Sequence, residues 1–179
     1  KDITDVAQQT DFKVFRSATD AGGGVRAIVV PGGGDMTRKE TDTLTAEIQG
    51  IGAGGLPVTK VIEENGIPAL STGIAKFFPP AVVPALLAAT GAHVGDLIAF
   101  AAGTHAEVCK YLAWTRATIA QRRDMIPRGV YKFCWVVDFP LMEYSEDEKR
   151  WFATHHPFTA PRDEDIPKLE SDPGAVRAK

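Results

Sequence analysis

The chain has 179 residues, of which 24% are charged and 44% hydrophobic, with a formal net charge of −3. This composition excludes a disordered chain, and no run approaches the roughly 18 consecutive apolar residues that a membrane-spanning helix needs. The small negative charge also excludes a global electrostatic pull toward nucleic acid. The length allows one ordinary domain, or a small domain plus part of another. The Lys1-Asp2 start, without an initiator Met or an apolar signal segment, points to a piece of something longer. Cys109 and Cys134 lack metal-ligand spacing and are read as reduced, partly buried thiols of a cytoplasmic protein.

In chain order, residues 2–9 are predicted as a short helix capped by Thr4. Residues 12–17 and 25–30 are predicted strands, joined as a hairpin through Asp20-Ala21-Gly22-Gly23-Gly24. Pro31-Gly32-Gly33-Gly34 then breaks the chain. Thr37-Arg38-Lys39-Glu40 is a capping box, in which hydroxyl and carboxylate satisfy orphan backbone donors reciprocally. Leu44, Ile48 and Ile51 follow as the buried stripe of that helix, which residues 50–55 end.

Residues 57–64 form the next predicted strand, and Asn65-Gly66 turns the chain. Residues 79–89 read as a helix whose prolines, Pro80 and Pro84, fall in its first turn. A strand at residues 95–100 follows. A second capping box, Thr104-His105-Ala106-Glu107, opens the longest helix, with Val108, Leu112, Thr115 and Ile119 on one face. The order β-β-α-β-α-β-α predicts a two-layer α+β domain with helices on one face of an antiparallel-type sheet.

The character changes near Ile126-Pro127-Arg128-Gly129, placing a boundary between residues 1–124 and residues 125–179. An aromatic strand is predicted over residues 131–138. A hairpin follows, from residues 141–144 and 150–155 around an acidic turn. Two paired strands are marginal alone in water, so this piece is expected to belong to a larger sheet outside the chain.

Candidate chemistry is sparse. Gly50-Ile51-Gly52-Ala53-Gly54-Gly55 matches the dinucleotide fingerprint by letter, but a helix leads into it and a strand follows, the reverse of the required order. It is read as a helix C-cap and turn. Gly32-Gly33-Gly34 precedes a helix but lacks the phosphate-loop spacing, and is read as a tight loop. Lys110, Arg116, Arg122, Arg123, Arg128 and Lys132 gather in one window, which a solvated helix face explains more simply than an RNA surface. His93 and His105 are read as solvated.

The distinctive stretch is Thr154-His155-His156-Pro157-Phe158-Thr159-Ala160-Pro161, two adjacent histidines at a predicted strand end. Neighbours in a strand point to opposite faces, so the pair cannot chelate one ion without a bend at Pro157, and no metal site is assigned. No catalytic nucleophile has a sequence signature.

Phe133-Cys134-Trp135-Val136-Val137-Asp138-Phe139-Pro140, followed by the histidine block, resembles the bacterial-type aspartyl-tRNA synthetases. Residues 1–124 resemble the same enzymes' GAD insertion domain, shared with the B subunit of the tRNA-dependent amidotransferases. Asp2-Ile3-Thr4-Asp5-Val6, Val30-Pro31-Gly32-Gly33, residues 56–60, Ile74-Ala75-Lys76-Phe77-Phe78 and Gly95-Asp96-Leu97-Ile98 carry that likeness. The resemblance implies a β-β-α-β-β-α-like insertion domain plus a hairpin segment of a class II catalytic sheet.

It also implies an enzyme that activates L-aspartate with ATP, Mg2+ being expected in the intact protein, and transfers it to tRNA(Asp). A cytoplasmic homodimer is the implied form. His155 is implied as the L-aspartate contact and His156 as its neighbour in the adenylate pocket. The three class-defining motifs and the anticodon-binding fold are not among these residues, so the chain alone is expected to bind no cofactor and to be inactive. The alternative is a non-catalytic GAD-type module that binds tRNA or protein, as in the amidotransferase subunit.

Overall fold

The computed structural model describes every residue except Glu146, His155 and Pro157. The chain forms two compact units, Lys1–Pro127 and Arg128–Lys179.

In the first unit, α1 (Thr4–Ala7) opens differently from expectation. Thr4 lies inside the helix, and Asp2 Oδ1 accepts hydrogen bonds from the Thr4 backbone N–H at 3.0 Å and its hydroxyl at 2.8 Å. The capping group is therefore the carboxylate two residues upstream. Residues 12–17, expected as a strand, belong to α2 (Lys13–Asp20). The reason lies in side-chain parity. A strand would send Phe12 and Phe15 to opposite faces, whereas a helix turns both toward the same core. Their rings meet edge to face at 4.9 Å, and Phe15 is fully buried.

The glycines that follow close the helix and make no hairpin. Gly22, at φ 79°, donates to Thr19 O and Gly23 to Ala18 O, the paired bonds of a Schellman ending. The chain then enters β1 (Gly24–Val30) and α3 (Arg38–Gln49), whose Thr37–Glu40 capping box is complete and whose Leu44 and Ile48 are buried. Next come β2 (Val58–Glu64) and β3 (Ile67–Ser71). Asn65 and Gly66 join them with φ of 54° and 76°, the left-handed pair that a two-residue hairpin of primed type needs. The sequence reading foresaw that turn but not the strand beyond it.

A short 3-10 turn, Pro80–Val82, leads into α4 (Val83–Thr90), with Pro84 in its first turn. β4 (Leu97–Gly103) and α5 (His105–Arg122) complete the unit, α5 opening on the Thr104–Glu107 capping box.

The four strands form one antiparallel sheet in the order β1-β4-β2-β3. The α+β class and antiparallel sheet agree with expectation, but the helices do not share one face. Val25, Ala27, Val61, Ile98 and Phe100 pack with α1, α2 and α4 on one side. Val30, Leu97 and Ala99 pack with α3 and α5 on the other. Five consecutive residues of β4, from Leu97 to Ala101, are consequently buried. A strand covered on both faces carries apolar residues at every position instead of alternating.

In the second unit, β5 (Met142–Ser145) and β6 (Arg150–Ala153) form the expected antiparallel hairpin. Residues 131–138 do not form the expected strand. Among the described residues no strand forms a ladder with them, and a strand exists only where its N–H and C=O groups find one. Phe133 and Trp135 are 96% and 94% exposed. The unit gains cohesion from residues 176–179, which run between two other segments. Leu141 N–H donates to Val176 O and Ala178 N–H to Phe139 O on one side; Arg162 N–H donates to Arg177 O and Lys179 N–H to Ala160 O on the other. Leu141, Val176 and Ala178 form its small apolar core.

Candidate functional site

The candidate site lies in the second unit, where β6 runs into the histidine block. Thr154 fixes the approach. Its backbone N–H donates to Leu141 O at 3.1 Å, and its hydroxyl reaches Pro140 O at 2.6 Å and Leu141 O at 3.0 Å. A β-branched residue with three such bonds has little rotameric freedom left. His155 lies outside the described residues. His156 is exposed; its Nδ1 accepts from Phe158 N–H at 3.4 Å, and its ring meets that of Phe158 edge on at 4.5 Å. Of the two predicted site residues, only His156 is thus placed.

Sequence reasoning missed an ionic cluster in the same unit. Asp138, from the tryptophan-bearing block, sits at φ 56° and pairs with Arg162 at 2.7 Å and Arg177 at 3.7 Å. Arg177 also grips the fully buried Asp165 in a two-point fork, Nε to Oδ2 at 2.7 Å and Nη2 to Oδ1 at 3.2 Å. The Arg177 backbone N–H and Lys168 Nζ add bonds of 3.1 and 2.6 Å. Bidentate, charge-assisted bonds of this kind are the strongest available to a carboxylate. The available signal was the acidic run Asp163-Glu164-Asp165 followed by Lys168, which a solvated 3-10 turn explains equally well.

The Arg177 fork, and next the Lys168 ammonium, hold the Asp165 carboxyl well below the usual carboxylate range. A depressed folded-state value contributes stability that is present above the unfolded value, about 3.9, and is lost as pH falls through the folded one. Asp165→Asn is therefore expected to destabilise Arg128–Lys179 at neutral pH, with the gap to the parent closing as the solution is acidified below about pH 4. Unfolding followed through the Arg177 amide resonance over a pH series would check this. A gap constant with pH would exclude the ionic origin.

The other sequence candidates resolve into structure. The glycine stretch after α3 is a helix ending, its Ile51 and Gly52 carbonyls accepting from Lys110 Nζ and the Tyr111 hydroxyl, both at 2.9 Å. In the Gly32–Gly34 loop, Gly32 N–H donates to Asp96 Oδ1 and Gly34 N–H to Gly95 O. The basic window is partly spent within the molecule: Arg122 binds Glu47 with both carboxylate oxygens at 2.8 and 2.9 Å, and Arg123 pairs with Asp35 at 2.9 Å. His93 and His105 are exposed, as expected. Both cysteines are exposed, against the expectation of partial burial. Cys109 lies on α5, accepting from Arg26 of β1 at 3.2 Å, and Cys134 falls in the aromatic run that forms no strand.

Comparison with known proteins adds two findings. The whole chain is 44% identical to an aspartate–tRNA(Asp/Asn) ligase of Halothermothrix orenii, of which it covers 30%, and 43% identical to one of Nitratidesulfovibrio vulgaris, of which it covers 28%. It is 41% identical, again over its whole length, to an aspartate–tRNA ligase of Staphylococcus carnosus, covering 30% of that protein. The chain therefore spans less than a third of the length of these curated relatives. The family model of the GAD domain matches residues 15–112, more than half of the chain and most of the four-stranded unit. The chain belongs to the GAD domain family.

Proposed function

We propose that the chain is part of an aspartate–tRNA ligase, residues 1–124 being its insertion domain and residues 125–179 a segment of its catalytic core. One observation carries this reading. The similarity to the ligases runs through the whole chain, histidine block included, whereas the GAD match stops at residue 112. A free-standing GAD module has no use for the segment beyond it. The partly neutralised basic window gives the alternative tRNA-binding module little support.

On this reading the intact cytoplasmic enzyme, a homodimer, joins L-aspartate to ATP as aspartyl-adenylate and passes the aspartyl group to tRNA(Asp). The 179 residues alone do not activate aspartate, because the ATP-holding motifs are not among them. Mg2+ would accompany ATP. No step is assigned to it on these residues: among the described ones no group of three His, Cys, Asp or Glu side chains could hold a metal ion. His155 donates a ring N–H to the aspartate carboxylate, and His156 lines the same adenylate pocket. Thr154, tied to Pro140 and Leu141, steadies the strand that delivers them.

A charge-assisted hydrogen bond contributes about 1.5–3 kcal/mol. In the full-length protein carrying this segment, His155→Ala is expected to raise the aspartate requirement for ATP–pyrophosphate exchange about ten- to hundredfold. An unchanged aspartate requirement would refute the role.

A further inference from the structure

The first unit contains a cleft of about 610 Å³ on the sheet face covered by α3 and α5, bounded by β2, the start of α3 and the turn after β3. Val58, Ile74 and Leu97 give it an apolar floor. Lys60 rises from that floor. Its ammonium donates one hydrogen bond, to Met36 O at 2.6 Å, and forms no ion pair among the described residues. Asp35, close enough to feel its charge, is tied to Arg123 at 2.9 Å. A partly buried ammonium that keeps unused N–H groups and lacks a carboxylate partner can offer them to an anion.

The mouth supplies further chemistry. Arg38 and Asp42 approach only to 3.5 Å, with 93% and 67% of their side chains exposed, so the pair is weakly held and either group can turn to a ligand. Thr41 and Thr45 line the wall, but their hydroxyl hydrogens are spent on the Arg38 and Thr41 carbonyls, both at 2.9 Å. Only acceptor lone pairs remain on those oxygens. The opposite wall carries strain at one residue: Thr72 lies at φ 65°, and a β-branched residue at positive φ is a true outlier. Such strain persists where the surroundings over-determine it, and it gathers at ligand sites.

We propose that this cleft binds a small phosphorylated polyol. The phosphate is held by Lys60 and Arg38, ligand hydroxyls donate to Asp42 and the two threonine oxygens, and the carbon skeleton lies over the Val58–Ile74 floor. The site is independent of the ligase reading and lies in the GAD domain itself.

The test is a titration of the isotope-labelled 179-residue chain with ribose 5-phosphate, with ribose and inorganic phosphate as separate half-probes, read at the Lys60, Thr72 and Gly73 amides. Saturable shifts are expected with ribose 5-phosphate at about millimolar concentration, binding at least about tenfold weaker for phosphate alone and none for ribose. Lys60→Met is expected to weaken binding about tenfold, and the fully accessible Arg38→Gln about threefold. Arg38→Gln decides alone if the Lys60 variant does not fold. Absent shifts at these amides, parent-like binding by the folded variants, or ribose binding as tightly as its phosphate would overturn the proposal.

Discussion

Phe15→Ala is expected to lower the stability of the Lys1–Pro127 unit by about 3–5 kcal/mol, the range for emptying a fully buried phenylalanine site. Phe15 has no exposed surface and stands at the centre of a ring cluster, 5.7 Å from Phe100, 6.3 Å from Phe78 and 4.9 Å from Phe12. These neighbours come from a strand, a loop and a helix entry, so none can collapse into the space without moving its own element. The unit is expected to show a lower denaturant midpoint at unchanged slope. Phe133→Ala, in the Arg128–Lys179 unit, gives the exposed-ring contrast. That ring is 96% exposed, and its loss is expected to change stability by less than about 0.5 kcal/mol. Equal effects would mean that the aromatic cluster does not organise this core.

The second large effect is expected at Gly73. A Cβ there would lie 1.9 Å from the Val58 carbonyl oxygen, at a φ of 54°. Retreat is restricted, since the same carbonyl accepts the Ile74 N–H at 3.1 Å and the Thr59 hydroxyl, from the residue after Val58, is turned to Ser71 O at 3.2 Å. Gly73→Ala is expected to cost about 3 kcal/mol, combining left-handed strain with a backbone clash. Gly22→Ala separates the two causes. Gly22 has φ 79° but open space around the added carbon, so about 1 kcal/mol is expected. Thermal unfolding of both variants would tell them apart, and similar losses would show that crowding at Val58 contributes nothing.

What could be read from the sequence was what local chemistry decides. The capping boxes at Thr37 and Thr104 were legible because donor and acceptor lie three residues apart. Asn65-Gly66 was legible because few residue pairs accept two positive φ values. The strand after it was hidden: residues 67–71 are short, include Pro68, and lie at the sheet edge where a proline is tolerated. Residues 12–17 misled because local β-propensity was overridden by the packing of Phe12 and Phe15 on one core.

The allocation of helices between two sheet faces was also beyond reach, since an apolar stripe shows that a helix is covered but not from which side. At the candidate site, the histidine block stood out by its residue types. The Asp138–Arg162–Arg177–Asp165 cluster did not, because Asp138 and Arg177 reach the Arg162–Asp165 turn from distant parts of the sequence and each member alone resembles a surface charge.

The threading of residues 176–179 between the segments at 139–141 and 160–162 has a consequence in time. A polypeptide leaves the ribosome N-terminus first, and a unit can close only when its last contributing segment is available. The four-stranded unit has all its strands once Gly103 has emerged, and its covering helix soon after. The second unit cannot assemble its small core until Val176 and Ala178 have appeared, when its exposed aromatic run has already been in solvent for some forty residues of synthesis, roughly 2–8 seconds. Leu141 thus stays uncovered until then, whereas Phe133 and Trp135 remain exposed even after the core has closed.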